Sequence, residues 1–119
     1  MDLKFAKQNF EGKPGSVFVH SWGYDQTNVD CYQMVKRQSE SLIIAVEVGL
    51  ATVDGSEGMM SCSVLPVPLT QEEAEAVVKA GGGLRMFIRG TQVVKIPGKH
   101  GGQAGLWDGK RDYYNSWYA

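Results

Sequence analysis

Leu42-Ile43-Ile44-Ala45-Val46-Glu47-Val48 is the stretch that decides the fold. Leu42, Ile44, Val46 and Val48 alternate with Ile43, Ala45 and Glu47, and the branched side chains suit a pleated surface, so the segment reads as a strand. Working outward, 29–36 is also extended in character, carrying Val29, Cys31, Tyr32, Met34 and Val35. Before it, 17–22 places Phe18, His20 and Trp22 on one face and Val17, Val19 and Ser21 on the other. The turn formers Gly23-Tyr24-Asp25-Gln26-Thr27-Asn28 separate these two segments. Downstream, Asp54-Gly55-Ser56-Glu57-Gly58 is a turn, and 59–67 is extended until Pro66 and Pro68 end it. Two short strands, 84–89 and 92–96, are joined hairpin-fashion at Gly90-Thr91, with Leu84, Met86 and Ile88 opposing Arg85, Phe87 and Arg89. The first fifteen residues begin polar and end in the turn signature Gly12-Lys13-Pro14-Gly15.

One helix is expected over about 70–80. Thr70-Gln71-Glu72-Glu73 fits a capping box, with Thr70 as N-cap and Glu73 reaching back to its backbone. Ala74, Val77 and Val78 form a narrow apolar stripe, and Gly81 suits the position just past the helix end. Ten residues are marginal as an isolated helix, so this one must dock on the sheet. From Pro97 a Gly-rich loop runs to about 109, and a short aromatic tail follows as a possible last strand. The expected fold is mainly β with one short helix: a small, strongly bent antiparallel sheet or open barrel, in one domain spanning 1–119.

Composition agrees with a single soluble domain. The chain has 119 residues, 43% hydrophobic and 21% charged, with a formal net charge of −1. That balance excludes a histone-like polycation, a polyanionic mimic and a highly charged disordered chain. No apolar run approaches the ~18 residues of a membrane span. The N-terminal ten residues lack an apolar core flanked by a cleavage site, so no secretory signal is read there. Without export, Cys31 and Cys62 are expected to be reduced thiols in a cytoplasm. Fifteen glycines make the chain turn-rich.

Two groups of residues are candidates for binding. In the turn, Trp22, Tyr24 and Tyr32 are placed to stack on a base while Asp25, Gln26 and Asn28 read its polar edge. The competing reading has Asp25, Thr27 and Asn28 capping their own turn backbone, with Trp22 and Tyr32 in the core. The C-terminal third supplies the second group: Arg85, Arg89, Lys99, His100, Trp107 and Lys110, with Lys95 and Arg111 beside them and only Asp108 and Asp112 in opposition. Basic and aromatic residues interleaved with Gly suit a polyanion or single-stranded nucleic acid.

Catalytic patterns are sparse. There is no phosphate-binding Gly-rich loop, no spacing of Cys and His for a metal, and no signature calling for a cofactor. Cys31 with His20, or Cys62 with His100, would be a nucleophile pair. His20 or His100 beside Arg85 or Arg89 would serve acid/base chemistry on RNA or a nucleotide, as in metal-independent ribonucleases.

Trp22-Gly23-Tyr24-Asp25-Gln26-Thr27-Asn28-Val29-Asp30 resembles a motif of small phage, prophage and plasmid proteins, where a strand ending Ser-Trp-Gly-Tyr-Asp-Gln-Thr-Asn precedes a Phe-Tyr-Gln strand. Here Cys31-Tyr32-Gln33 takes that place, with Cys for the usual Phe. The likeness extends through 60–67, through Val94-Lys95-Ile96, and into the tail at Leu106-Trp107-Asp108-Gly109-Lys110 and Ser116-Trp117-Tyr118-Ala119. The segment 69–80 departs from it, since the family carries a more basic stretch there. The resemblance implies a mobile genetic element in a bacterial cytoplasm and an accessory role in host defence or nucleic-acid transactions; it implies no activity. The reading is therefore a non-enzymatic module for nucleic acid or a host nucleoprotein, counter-defence included. Its alternatives are a protein–protein inhibitor anchored by Trp117, Tyr118 and Tyr24, and an enzyme using His20 or His100.

Overall fold

The computed structural model describes residues 3–22, 28–53, 61–98, 102–110 and 113–116. The elements in chain order are α1 (Leu3–Gln8), β1 (Val17–Trp22), β2 (Asn28–Ser39), β3 (Leu42–Thr52), β4 (Ser61–Val67), α2 (Gln71–Val77), β5 (Leu84–Gly90), β6 (Val93–Lys95), β7 (Gln103–Leu106) and β8 (Tyr113–Ser116). Strands β2, β1, β7, β6, β5 and β3 pair in that order, all antiparallel, and β3 pairs again with β2. Six strands thus form a closed barrel. Closure removes the exposed sheet edges that invite pairing with other chains. β3 is long enough to leave the barrel: 42–45 pairs with β5, while its far end, 49–52, pairs with β4, which carries β8.

Two cores follow from this topology. Inside the barrel lie Phe18, Tyr32, Met34, Ile43, Ala45, Met86, Ile88, Val94 and Ala104, with Phe10, Leu84 and Leu106 at their margin. Outside, Val17, Val19, Val29, Cys31, Val35, Val46 and Val48 are covered by Val64 of β4, by Ala74 of α2, and by half-buried Leu69, Val77, Val78 and Trp107. β1, β2 and β3 are therefore apolar on both faces, which accounts for the unbroken runs Val17-Phe18-Val19 and Ile43-Ile44-Ala45-Val46.

The expected helix is present, and so is its capping box. Glu73 N–H donates to Thr70 Oγ1 at 3.1 Å, and Thr70 N–H donates to Glu73 Oε1 at 3.0 Å. These hydrogen bonds, the backbone one first, hold the Glu73 carboxyl below its usual range. After α2 the chain widens into a π-turn, Val78–Gly82, in which Gly81 adopts φ +93°. Two expectations need correction. The N-terminal segment carries no helix signal in the sequence, yet α1 forms there and packs against β5. The Gly-rich loop of 97–109 is also not continuous, because β7 lies within it and pairs with both β1 and β6, the two contacts that close the barrel.

Phe10 stacks on Phe18 with ring centroids 5.9 Å apart. Arg37 lies 5.6 Å over the Phe10 ring and donates to the carbonyls of Lys7 and Glu40, both at 2.6 Å. Next to this stack Gly12 has no room for a side chain, since a Cβ there would come within 2.5 Å of Phe10 Cζ and 2.9 Å of Phe18 Cζ.

Candidate functional site

Among the described residues the second layer covers the half of the barrel's outside formed by β1, β2 and β3. On the other half β5 alternates strictly: Met86 and Ile88 fill the barrel, while Arg85, Phe87 and Arg89 are exposed. Lys95, exposed on β6, is the cross-strand partner of Phe87 and pairs on its other side with exposed Gln103 of β7. Phe87 stays 44% exposed, and the Arg89 guanidinium sits 5.8 Å from its ring centroid. A large aromatic side chain thus stands 44% exposed among three cations on adjacent strands.

The electrostatics of this face are one-signed. The sequence places no Asp or Glu between Glu75 and Asp108, a stretch holding Lys79, Arg85, Arg89, Lys95 and Lys99. On a chain of net charge −1, that segregation creates a local positive field. Carboxylates lie near the borders of the face. Glu11, whose N–H donates to Thr91 O at 2.8 Å, stands beside the β5–β6 turn, and Glu75 lines a groove next to α2 with Lys36 and Lys79.

Of the residues expected to bind, the structure brings together Arg85 and Arg89. Phe87, between them, and Lys36, next to Arg85, were not among those expected. Tyr24, Asp25, Gln26, Lys99 and His100 lie outside the described residues, as do Trp117 and Tyr118; Trp22 is described as backbone only, the last residue of β1, in register with Asn28. Tyr32 corrects the stacking expectation: it points into the barrel, 8% exposed, so its ring is core. Trp107 is half-buried against the outer core, and its N–H donates to Val17 O at 2.8 Å. Lys110 N–H donates to Asp108 Oδ1 at 2.8 Å, forming an Asx-turn around Gly109, whose φ is +87°.

The proposed nucleophile pair of Cys31 and His20 does not form. Cys31 is fully buried in the outer core, whereas alternation along β1 turns His20 to the inner side with Phe18. The His20 imidazole lies against Gly102, where a Cβ would come within 2.5 Å of Nε2. Burial, reinforced by Asp30 and Glu47, pushes the Cys31 thiol up to about 12 from a normal value of 9.0. The Tyr32 phenol rises to about 12 from 10.0 for the same reasons. Two outcomes are expected. A maleimide at about pH 8 should label Cys31 only after denaturation, as read by peptide mass spectrometry. Because both folded values exceed the unfolded ones, their stability contribution is complete below about pH 9 and declines from there toward about pH 12. Rapid labelling of native Cys31, or a flat alkaline limb in the denaturation profile, would contradict this burial.

Among the described residues no group of three or more His, Cys, Asp or Glu is arranged to hold a metal, and no helix is long and apolar enough to cross a membrane. What fold and face define together is a small closed antiparallel barrel, covered over β1, β2 and β3 by a second layer, with α1 against β5 and Arg85, Phe87, Arg89 and Lys95 exposed among the described residues. No protein-family model matches the chain, and comparison with curated proteins and with solved structures finds no match.

Proposed function

We propose that the protein is a non-enzymatic binding module that holds single-stranded nucleic acid, free or within a nucleoprotein, on the outer face of β5 and β6. The observation that carries this reading is exposed Phe87, set between Arg85, Arg89 and Lys95 with no carboxylate on these strands. Every base has a π-face, so an aromatic on a rigid strand accepts any unpaired base, and the surrounding cations take the phosphates. Arg89 adds a planar guanidinium that itself stacks on bases. A duplex offers no such face except at its ends. The setting assigned to this activity is the bacterial cytoplasm and a mobile element acting on host defence or nucleic-acid transactions; it rests on the motif resemblance at 22–30 and the Trp107–Lys110 turn alone.

The test is the affinity for a fluorescein-labelled oligothymidylate at several salt concentrations. Each phosphate neutralised contributes a slope of about −0.7 in log K against log salt for single strands, so three cations predict about −2. Blunt duplex of equal length should compete poorly. Flat salt dependence would overturn the proposal. So would a host partner that survives nuclease treatment and still needs Phe87, which would make the face a protein-binding surface.

A further inference from the structure

We propose that the groove beside the outer face of β5 and β6, between glycines 81–83 and strands β2, β3 and β5, is a phosphate subsite for the nucleic acid stacked on Phe87. This rests on the nucleic-acid reading above. The groove has a volume of about 260 Å³; Ile44 and Val78 are its apolar walls, and Lys36, Gln38 and Arg85 are its polar ones. No lining residue is acidic. Pockets that enclose a whole small ligand run from about 300 to 1,000 Å³. This one suits part of a ligand, a phosphate with its adjoining sugar.

Lys36 is in the groove because β2 is irregular. Met34 points into the barrel, and strict alternation would aim Lys36 inward too. A register shift between Met34 and Lys36 inserts Val35 as an extra residue, so Val35 enters the outer core and Lys36 turns out to the surface. Bulges that re-aim one side chain are recurrent devices next to functional sites. Lys36 pairs with Ile44, and Ile44 pairs with Arg85, in one row across three strands. Adjacent strands lie ~4.8 Å apart, so the two cations flank Ile44 with Cα atoms roughly 10 Å from each other, and both line the same groove with it.

The opposite rim consists of backbone. Gly81, at φ +93°, turns the chain, and Gly83 follows in extended conformation at φ −76° and ψ 141°. Gly83 leaves that side of the groove open. A Cβ on it would meet Ile44 Cγ2 and the Val78 methyls at 3.4 Å, ordinary contact, so a larger side chain is tolerated there and fills the groove. Arg85 and Phe87 are two residues apart on one face of β5, ~7 Å along the strand. A base stacked on Phe87 therefore places its backbone at the groove mouth.

Gly83→Leu fills the groove without changing charge, and Lys36→Gln removes one of its cations at an exposed position. Both are measured against the labelled oligothymidylate, with far-UV circular dichroism to verify the fold. Each variant should make the slope of log K against log salt shallower by about 0.7, the contribution of one phosphate. The double variant should be no shallower than either single one, because both act on the same phosphate. A Gly83→Leu protein with the wild-type slope overturns the subsite while leaving stacking at Phe87 intact, and so do additive losses in the double variant. If Gly83→Leu misfolds, an unchanged slope in Lys36→Gln overturns it alone. Wild-type protein that fails to bind the oligonucleotide even at low salt overturns the nucleic-acid reading and the subsite together.

Discussion

Gln33→Leu is expected to destabilise the protein by about 3 kcal/mol, lowering the melting temperature by on the order of 10 °C. Gln33 is 1% exposed at the middle of β2, and its amide is fully used: Nε2 donates to Leu69 O at 2.9 Å, while Oε1 accepts from Leu69 N–H at 2.7 Å. The side chain thus imitates one rung of a sheet and fixes the linker between β4 and α2 onto the barrel. Gln71 Nε2, donating to Val35 O at 3.0 Å, fastens the first turn of α2 to the same strand. Leucine would fill similar space but leave both backbone groups of Leu69 without partners, each costing about 1–3 kcal/mol. Gln33→Glu separates lost bonding from lost shape. At neutral pH its carboxylate accepts from Leu69 N–H but repels Leu69 O; once protonated, it donates again. Its folded pKa is then raised, so its stability is full below about pH 4 and is lost as pH rises. Recovery of Gln33→Glu relative to Gln33→Leu in acid, followed by chemical denaturation, checks the clamp. A loss under about 1 kcal/mol in Gln33→Leu would show that α2 is held by apolar contact alone. The consequence reaches the site, because the π-turn that continues α2 supplies the glycine rim of the groove.

What was legible in the sequence is what local pattern controls. The alternation over 42–48, the hairpin at 84–96 and the capping box at Thr70 each depend on neighbours a few residues away, and each is present. What was not legible depends on distant pairing. Gln103-Ala104-Gly105-Leu106 has little intrinsic strand character and becomes β7 only because β1 and β6 hydrogen-bond to it from both sides. α1 is six residues long and is held by its contact with β5, not by its own propensity. Lys36 depended on a bulge that no residue type announces. Tyr32 looked equally fit for stacking or for the core, and only closure of the barrel decides for the core. Phe87 shows the limit most clearly. Period-two alternation sets it opposite Met86 and Ile88, with Arg85 and Arg89, but whether that side faces water depends on where α2 and β4 dock, and they dock over β1, β2 and β3.

Phe87→Ala is expected to weaken oligothymidylate binding ten- to hundredfold, the roughly 1–3 kcal/mol that one stacked base contributes. The salt slope should not change, since no cation is removed, and this distinguishes Phe87 from Arg85, Arg89 and Lys95, whose Gln variants should flatten it. Stability should change little: the ring is 44% exposed and points away from the barrel interior, so truncation opens no cavity in the barrel core and gives up surface contacts, that with Arg89 among them. Phe87→Leu sharpens the result, because leucine keeps apolar area without a π-face. If affinity in Phe87→Leu falls nearly as far as in Phe87→Ala, stacking is the interaction; if it stays near wild type, simple apolar contact suffices and a protein surface would satisfy the site equally well. Unchanged affinity in Phe87→Ala, with steep salt dependence retained, would reduce this face to a non-specific electrostatic surface. Phe87 is one of several exposed large hydrophobics, with Phe5, Leu50 and Val67, and on β5 it is the one set between two arginines.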